Sequence, residues 1–499
     1  MHRYILSLVV MLGLVDLSLA QTAPATSTAP ATSTAPADTL HKAAAAGDAA
    51  RVKAMLDGGA EVNAFDKSSQ APLHYAALSG KKDVVEMLLK ALANVDATGA
   101  QKRTALHMAA QAGHKDVVET LLAAKAGADA QDSGGLTPLA LASKEGHDAI
   151  VPLLIAAKAN LDKPDEQGAT ALLWATFKDQ PKVAKLLVEA GANPNLASRT
   201  KMTPLLFAAQ AGQMDMVKLL LAAKAKVDVK DELGATALHL ACRKGNIELV
   251  KLLLENKLDA DATTEAGWTA VHFAAIGGNL DILKLLLDSK AAADTADLEK
   301  TTPLMMAAQE GHKDVVKLLL DSKADPKAVN SQGIHALYAA AGDGHLEVVK
   351  MLLEAKVDVD LAGPSRVTAL FMAAQNGHKK VVEALIEAEA SVNIKTDRGT
   401  PLLMAVHEGH KDVVELLIKA GAKVNVEFSG FTPLEMARKR KHAQIAQLLL
   451  DAGAKDDSAT QPADAATKPA DSTTKPSTST QSVEAAKPAR DDNHNMVRD

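Results

Sequence analysis

Apolar residues in this chain fall into two short runs separated by a glycine, and the pair of runs recurs. In TALHMAAQAGHKDVVETLLAAKAGADAQ, which begins at Thr104, the pairs Val117-Val118 and Leu121-Leu122 stand at i, i+1, i+4 and i+5, so they predict a helix with one apolar stripe. The run ahead of them, Ala105 to Ala110, follows a threonine suited to a helix N-cap and stops before Gly113, where positive φ would end a first helix. Copies carrying Thr-Pro, as at Thr137-Pro138, Thr203-Pro204 and Thr302-Pro303, add a proline fitted to the first helical turn. Small pairs such as Ala109-Ala110 and Ala274-Ala275 allow neighbouring helices to approach closely. The predicted unit is a helix hairpin followed by a polar turn.

Its starts fall at Asp38, Ala71, Thr104, Thr137, Thr170, Thr203, Thr236, Thr269, Thr302, His335, Thr368, Thr400 and Thr432, at intervals of 33 residues and then, for the last two, 32. Thirteen copies in phase describe a one-dimensional array in which each unit buries its apolar face on its neighbours. The polar segment between hairpins carries Asp or Asn at a fixed place: Asn63, Asp96, Asp129, Asp162, Asn195, Asp228, Asp261, Asp294, Asp360, Asn393, Asn425 and Asp457. Such residues favour turns by bonding to nearby backbone.

With these residues in place, the chain resembles the ankyrin repeat family over residues 38 to 455, copy after copy showing TPLHxAA, then Gly, then VVxLL, then a finger with Asp or Asn. The resemblance implies an all-α solenoid of stacked helix-turn-helix units with β-turn fingers, and binding of another protein along its concave face. In such arrays recognition falls on the finger edge and the exposed end of the first helix, which here means Met202, Gln210, Ala211, Arg243, Lys244, Trp268, Ile276, Gln309 and Ile334. Trp268 either anchors a partner or folds down onto its own hairpin.

The ends of the array differ from its middle. Lys42, Asp48 and Arg51 dilute the first copy, and the last carries Arg438, Lys439, Arg440, Lys441 and His442. That basic cluster reads as a solvated cap complementing a helix dipole, with an acidic partner as the competing reading. Lys125, Lys158, Lys224, Lys257, Lys290, Lys323 and Lys356 replace the helix-ending glycine found at Gly59, Gly191, Gly421 and Gly453. They predict a row on one edge, either dipole-compensating or a track for an anionic partner. Pro152, inside a predicted second helix, and Asp179, in place of a glycine, mark residues 137 to 195 as a soft segment.

Outside the array, residues 1 to 20 have His2 and Arg3, an apolar run from Ile5 to Val15 and the ending Ser18-Leu19-Ala20, and read as an export signal cleaved after Ala20. Residues 21 to 37 form a Thr/Ala/Pro linker and 456 to 499 an Ala/Thr/Pro/Ser-rich tail, both expected to be disordered. The expectation is a periplasmic or secreted protein with no stable membrane span after cleavage.

Composition and chemistry narrow the function. Aromatic residues make up 2% of the chain, so the core is expected to rest on Ala, Leu and Val. A net charge of -6 and the lack of a basic stripe interleaved with aromatics argue against nucleic acid. Cys242 occupies a first-helix place held elsewhere by Ala110 or Ala275, which indicates packing and not nucleophilic chemistry. The histidines sit at repeat positions, His41, His74, His107, His239 and His272 in one place and His114, His147, His312, His345, His378, His410 and His442 in another, too far apart to share a metal. His407-Glu408-Gly409-His410 lacks the HExxH spacing, and neither GxSxG nor a phosphate-binding glycine loop occurs. The reading is a noncatalytic protein-binding scaffold without cofactor or metal. An effector delivered to another cell, an accessory protecting an exported enzyme and a structural envelope spacer remain as alternatives.

Overall fold

A computed structural model describes residues 39–456; the expected export signal, linker and most of the tail lie outside them. The described residues hold 26 α-helices in thirteen pairs, from Leu40–Ala46 with Ala49–Asp57 to Pro433–Lys439 with Ala443–Asp451. Inner helices, the first of each pair, have seven or eight residues; outer helices have nine, except in the fourth copy. Each inner helix packs on the inner helices of adjacent copies and on its own outer helix, while outer helices pack on outer helices. No strand occurs among the described residues; the fingers contain only the isolated bridges Thr396–Gly399 and Phe428–Phe431 and two short 3-10 turns.

Helix ends follow the chemistry expected of them. Thr137 Oγ1 accepts the Ala140 N–H at 3.1 Å, and Thr104 donates its own N–H to His107 Nδ1 at 3.1 Å. Inner helices close on a left-handed residue, with φ 83° at Gly113 and 74° at Gly245. Asp179 and Lys441 take the same conformation, with φ of 52° and 63°, where glycine is missing. All seven substituted lysines at outer-helix ends are exposed and left-handed, with φ from 58° at Lys356 to 71° at Lys323, and Leu92 and Glu389 do likewise. A side chain in this region costs on the order of 1 kcal/mol. The closed cap offsets that cost, since Lys257 donates to Leu254 O at 2.9 Å and so satisfies a terminal carbonyl.

The core is an alanine seam between inner helices backed by Val and Leu of the outer ones: Ala109, Ala110, Val118 and Leu121 have no exposed surface. The stripe is narrower than its sequence suggested, because Leu122 and Leu219 are only half-buried beside fully buried Leu121 and Leu220. Packing of outer helices uses one leucine of each pair fully. Cys242 is buried, and burial pushes its thiol well above the usual range.

Hydrogen bonds tie each copy to the next. The conserved-place Asp or Asn of the fingers does more than stabilise a local turn: Asp129 Oδ1 accepts the N–H of Asn160 at 2.7 Å, and Asp162 Oδ1 that of Asn193 at 2.9 Å, 31 residues on. Histidines after the glycine reach back instead, as His147 Nε2 to Gln111 O at 2.9 Å and His345 Nε2 to Gln309 O at 2.8 Å. Finger backbones join too, with Glu166 donating to Gly134 O at 3.0 Å. Pro364 has no N–H for the equivalent bond.

Pro152 is accommodated without a kink. The outer helix of the fourth copy starts late, at Val151, and runs only to Ala156, so the proline occupies its first turn and turn residues replace the missing helical ones.

Candidate protein-interaction surface

Inner helices and fingers form one side of the array, and the finger turn determines what that side presents. A short polar side chain folds the finger loop onto itself: Asp165 Oδ1 accepts the N–H groups of Gln167 and Ala169, both at 2.8 Å, and Ser198, Thr264 and Asn330 accept those of Met202, Trp268 and Ile334 in the same way. The residue that closes the turn, just before the copy's first residue, then enters the packed layer. The same closure buries residues expected at the surface. Met202, Trp268 and Ile334, placed among the recognition residues of the finger edge, are only 2, 3 and 5% exposed, and of the two readings of Trp268 its burial favours packing. Trp268 Nε1 donates to Asp297 Oδ2 of the next finger at 3.0 Å, and its ring stacks on His272 with centroids 6.1 Å apart. Ile334 joins a small apolar cluster with Tyr338, Val367 and Phe371. Gln309, expected at the exposed helix end, is 8% exposed and its carbonyl receives the His345 clasp.

The other expected residues do reach the surface. Gln210, Arg243 and Ile276 are half-buried and Lys244 is exposed. They lie in three consecutive copies at equivalent helix ends, so the frame holds them in a row. Burial lowers the tendency of the Arg243 guanidinium to stay charged, and the Asp231 carboxylate opposes that effect.

Sequence reasoning missed a second row. Four residues after each copy's first residue stands a large apolar side chain in every copy from the second onward except the tenth: Tyr75, Met108, Leu141, Trp174, Phe207, Leu240 and onward to Met436, with Ala339 as the exception. These side chains sit between the inner helix and the finger before it. Tyr75 donates its hydroxyl to Asp66 Oδ2 at 2.7 Å, and Trp174 Nε1 donates to Asp165 Oδ2 at 2.8 Å. In the central copies the row is covered, with Leu141 1% and Phe273 5% exposed, whereas Tyr75, Met108, Met372, Met404 and Met436 are half-buried. The available signal was the repetition of large residues at one place in a chain so poor in aromatics.

The histidines of the first repeat position are structural groups. His239 Nε2 lies 2.9 Å from Ala262 O, and burial pulls its pKa down to about 4, as it does for His272 and His335. Neutral rings fit this role, because one nitrogen accepts from backbone while the other donates to the finger that follows the helix pair. Among the described residues no cluster of three or more His, Cys, Asp or Glu has metal-binding geometry, and no helix is long and apolar enough to cross a membrane.

Comparison with curated proteins gave no match. The family model for ankyrin repeats, built on three copies, matches residues 40–133, 106–198, 191–265, 256–330, 323–396 and 392–460. Those segments overlap from the first helix pair to the last, and the chain therefore belongs to the ankyrin repeat family.

Proposed function

We propose that the array is a noncatalytic scaffold that binds a partner protein on the side formed by inner helices and fingers. The observation that carries this reading is the division of labour within each copy: alanines, histidine clasps and finger turns repeat, while the helix-end residues on one side change from copy to copy. A fixed frame bearing variable side chains in a row suits recognition of an extended surface. Gln210, Arg243, Lys244 and Ile276 are the central residues assigned to contact; Met202, Trp268, Gln309 and Ile334 belong to the packed frame.

The test begins by crosslinking the mature protein in its native compartment and identifying the attached peptides. Replacing Arg243, Lys244 and Ile276 together by Ala should then weaken capture of that partner at least tenfold while helical content and melting stay near wild type. Trp268→Ala should instead lower both. Wild-type affinity in the triple variant would remove the central copies from the site. Export is part of the proposal: an intact mass beginning at Gln21 supports it, and a protein retaining Met1 to Ala20 contradicts a soluble periplasmic or secreted form.

A further inference from the structure

The last three copies all carry methionine in the apolar row, whereas the row's other half-open end, in the second and third copies, pairs Tyr75 with Met108. Met372, Met404 and Met436 are half-buried at equivalent places, and the finger of the final copy adds Phe428 and Phe431, also half-buried. Methionine is flexible and polarizable, so a row of it adapts to varied apolar side chains. Cations stand in the same copies. Lys439 Nζ lies 3.9 Å from the Phe431 ring centroid, Arg398 lies 5.6 Å from that of Phe371, and the Arg440 guanidinium meets the His407 imidazole. Of the carboxylates in these copies, Glu408 reaches Arg440 only through His407, whose Nδ1 lies 3.0 Å from it, and Glu435 accepts the Thr432 N–H at 2.7 Å.

Resting on the scaffold reading, we propose that copies eleven to thirteen bind an acidic amphipathic helix, its apolar face on the methionine row and its carboxylates against Arg398, Lys439 and Arg440. Spacing favours a helix over a strand. Stacked helices lie about 8–10 Å apart, so the methionines present one apolar contact per roughly 10 Å. A helix returns the same face every seven residues, about 10.5 Å. A strand returns one face at about 6.6 or 13 Å. Three contacts spaced this way need roughly 15 residues of helix.

The basic cluster that closes the array thus has a second role beside that of a solvated cap. Its position beside the half-open end of the apolar row, in place of the covered central part, joins charge and apolar surface in one site.

The test uses fluorescence anisotropy with the full chain and two synthetic 21-residue helices, each with Leu at seven-residue intervals and at the intervening fourth places. One carries Glu at the flanking positions and the other Lys. The Glu peptide should bind at least tenfold more tightly than the Lys peptide. Lys439→Glu with Arg440→Glu, both exposed sites, should reverse that preference while the far-ultraviolet spectrum is unchanged. Bound Glu peptide should also slow hydroxyl-radical oxidation of Met404 and Met436 but not of Met108. Equal binding of both peptides, an unchanged preference after charge reversal, or unaltered methionine oxidation would overturn the assignment. If the native crosslinks map to copies six to nine when these assays fail, only this inference falls; crosslinks avoiding the array altogether would remove the scaffold reading with it.

Discussion

Each buried histidine that ties an inner helix to the finger after it must remain neutral to do so. For His239, His272 and His335 the folded value is about 4 against an ordinary 6.5. Above pH 6.5 neither folded nor unfolded ring binds a proton and the contribution is complete. Between 6.5 and 4 the unfolded chain binds protons that the folded one refuses, so stability falls as pH falls, by an amount on the order of 3 kcal/mol per histidine at full effect. Half-buried Asp231 and Asp297, raised by desolvation, oppose that trend. Urea midpoints at pH 7, 6 and 5 should therefore decline more steeply for wild type than for His239→Gln with His272→Gln; parallel curves would contradict the neutral-clasp account. Trp268 shows what sequence could not convey at this scale. Its place before Thr269 was legible, but its direction depends on the turn closed by Gly267 at φ 83° and on Asp297 from the next copy, a partner 29 residues away. A polar-looking segment on the page becomes, at its last residue, part of the packed layer.

Hairpins were more legible than side-chain directions, because a helix in this array announces both ends locally. Thr203-Pro204 opens one inner helix at Pro204 and Gly212 closes it, as the spacing anticipated. Residues 137 to 195 are the instructive case. Sequence placed Pro152 inside a helix and anticipated a soft pair of copies, but helix onset is adjustable: starting at Val151 removes the conflict, and Ile150 and Leu154 remain buried. Asp179 adopts the left-handed geometry of the missing glycine at a modest cost. The softness should consequently be confined to the turn that replaces the lost helical residues. Hydrogen exchange should show fast amides at Asp148 and Ala149 and ordinary protection at Leu154, Leu172 and Leu187. Fast exchange across both copies would restore the broader expectation, and the lengthened turn would then be loosening its neighbours.

On the scale of the whole array, the helix contacts link each copy with the copies beside it, inner helix to inner helix and outer to outer. Stability then accumulates from each hairpin and each interface, and no distant contact compensates for a weak middle. Leu253 and Leu286 are fully buried at equivalent places on the outer helices of the seventh and eighth copies. Truncating each to Ala removes about 2–5 kcal/mol from that interface, comparable to what a short stretch of copies can hold. The double variant should unfold first between about residues 236 and 300, leaving copies one to five and ten to thirteen folded as separate blocks over an interval of urea. Limited proteolysis within that interval, followed by mass analysis, should release two resistant fragments flanking the cut. A single transition in which all amides lose protection together would contradict the nearest-neighbour picture and require coupling carried along the whole stack, through the histidine clasps and finger bonds that run between successive copies.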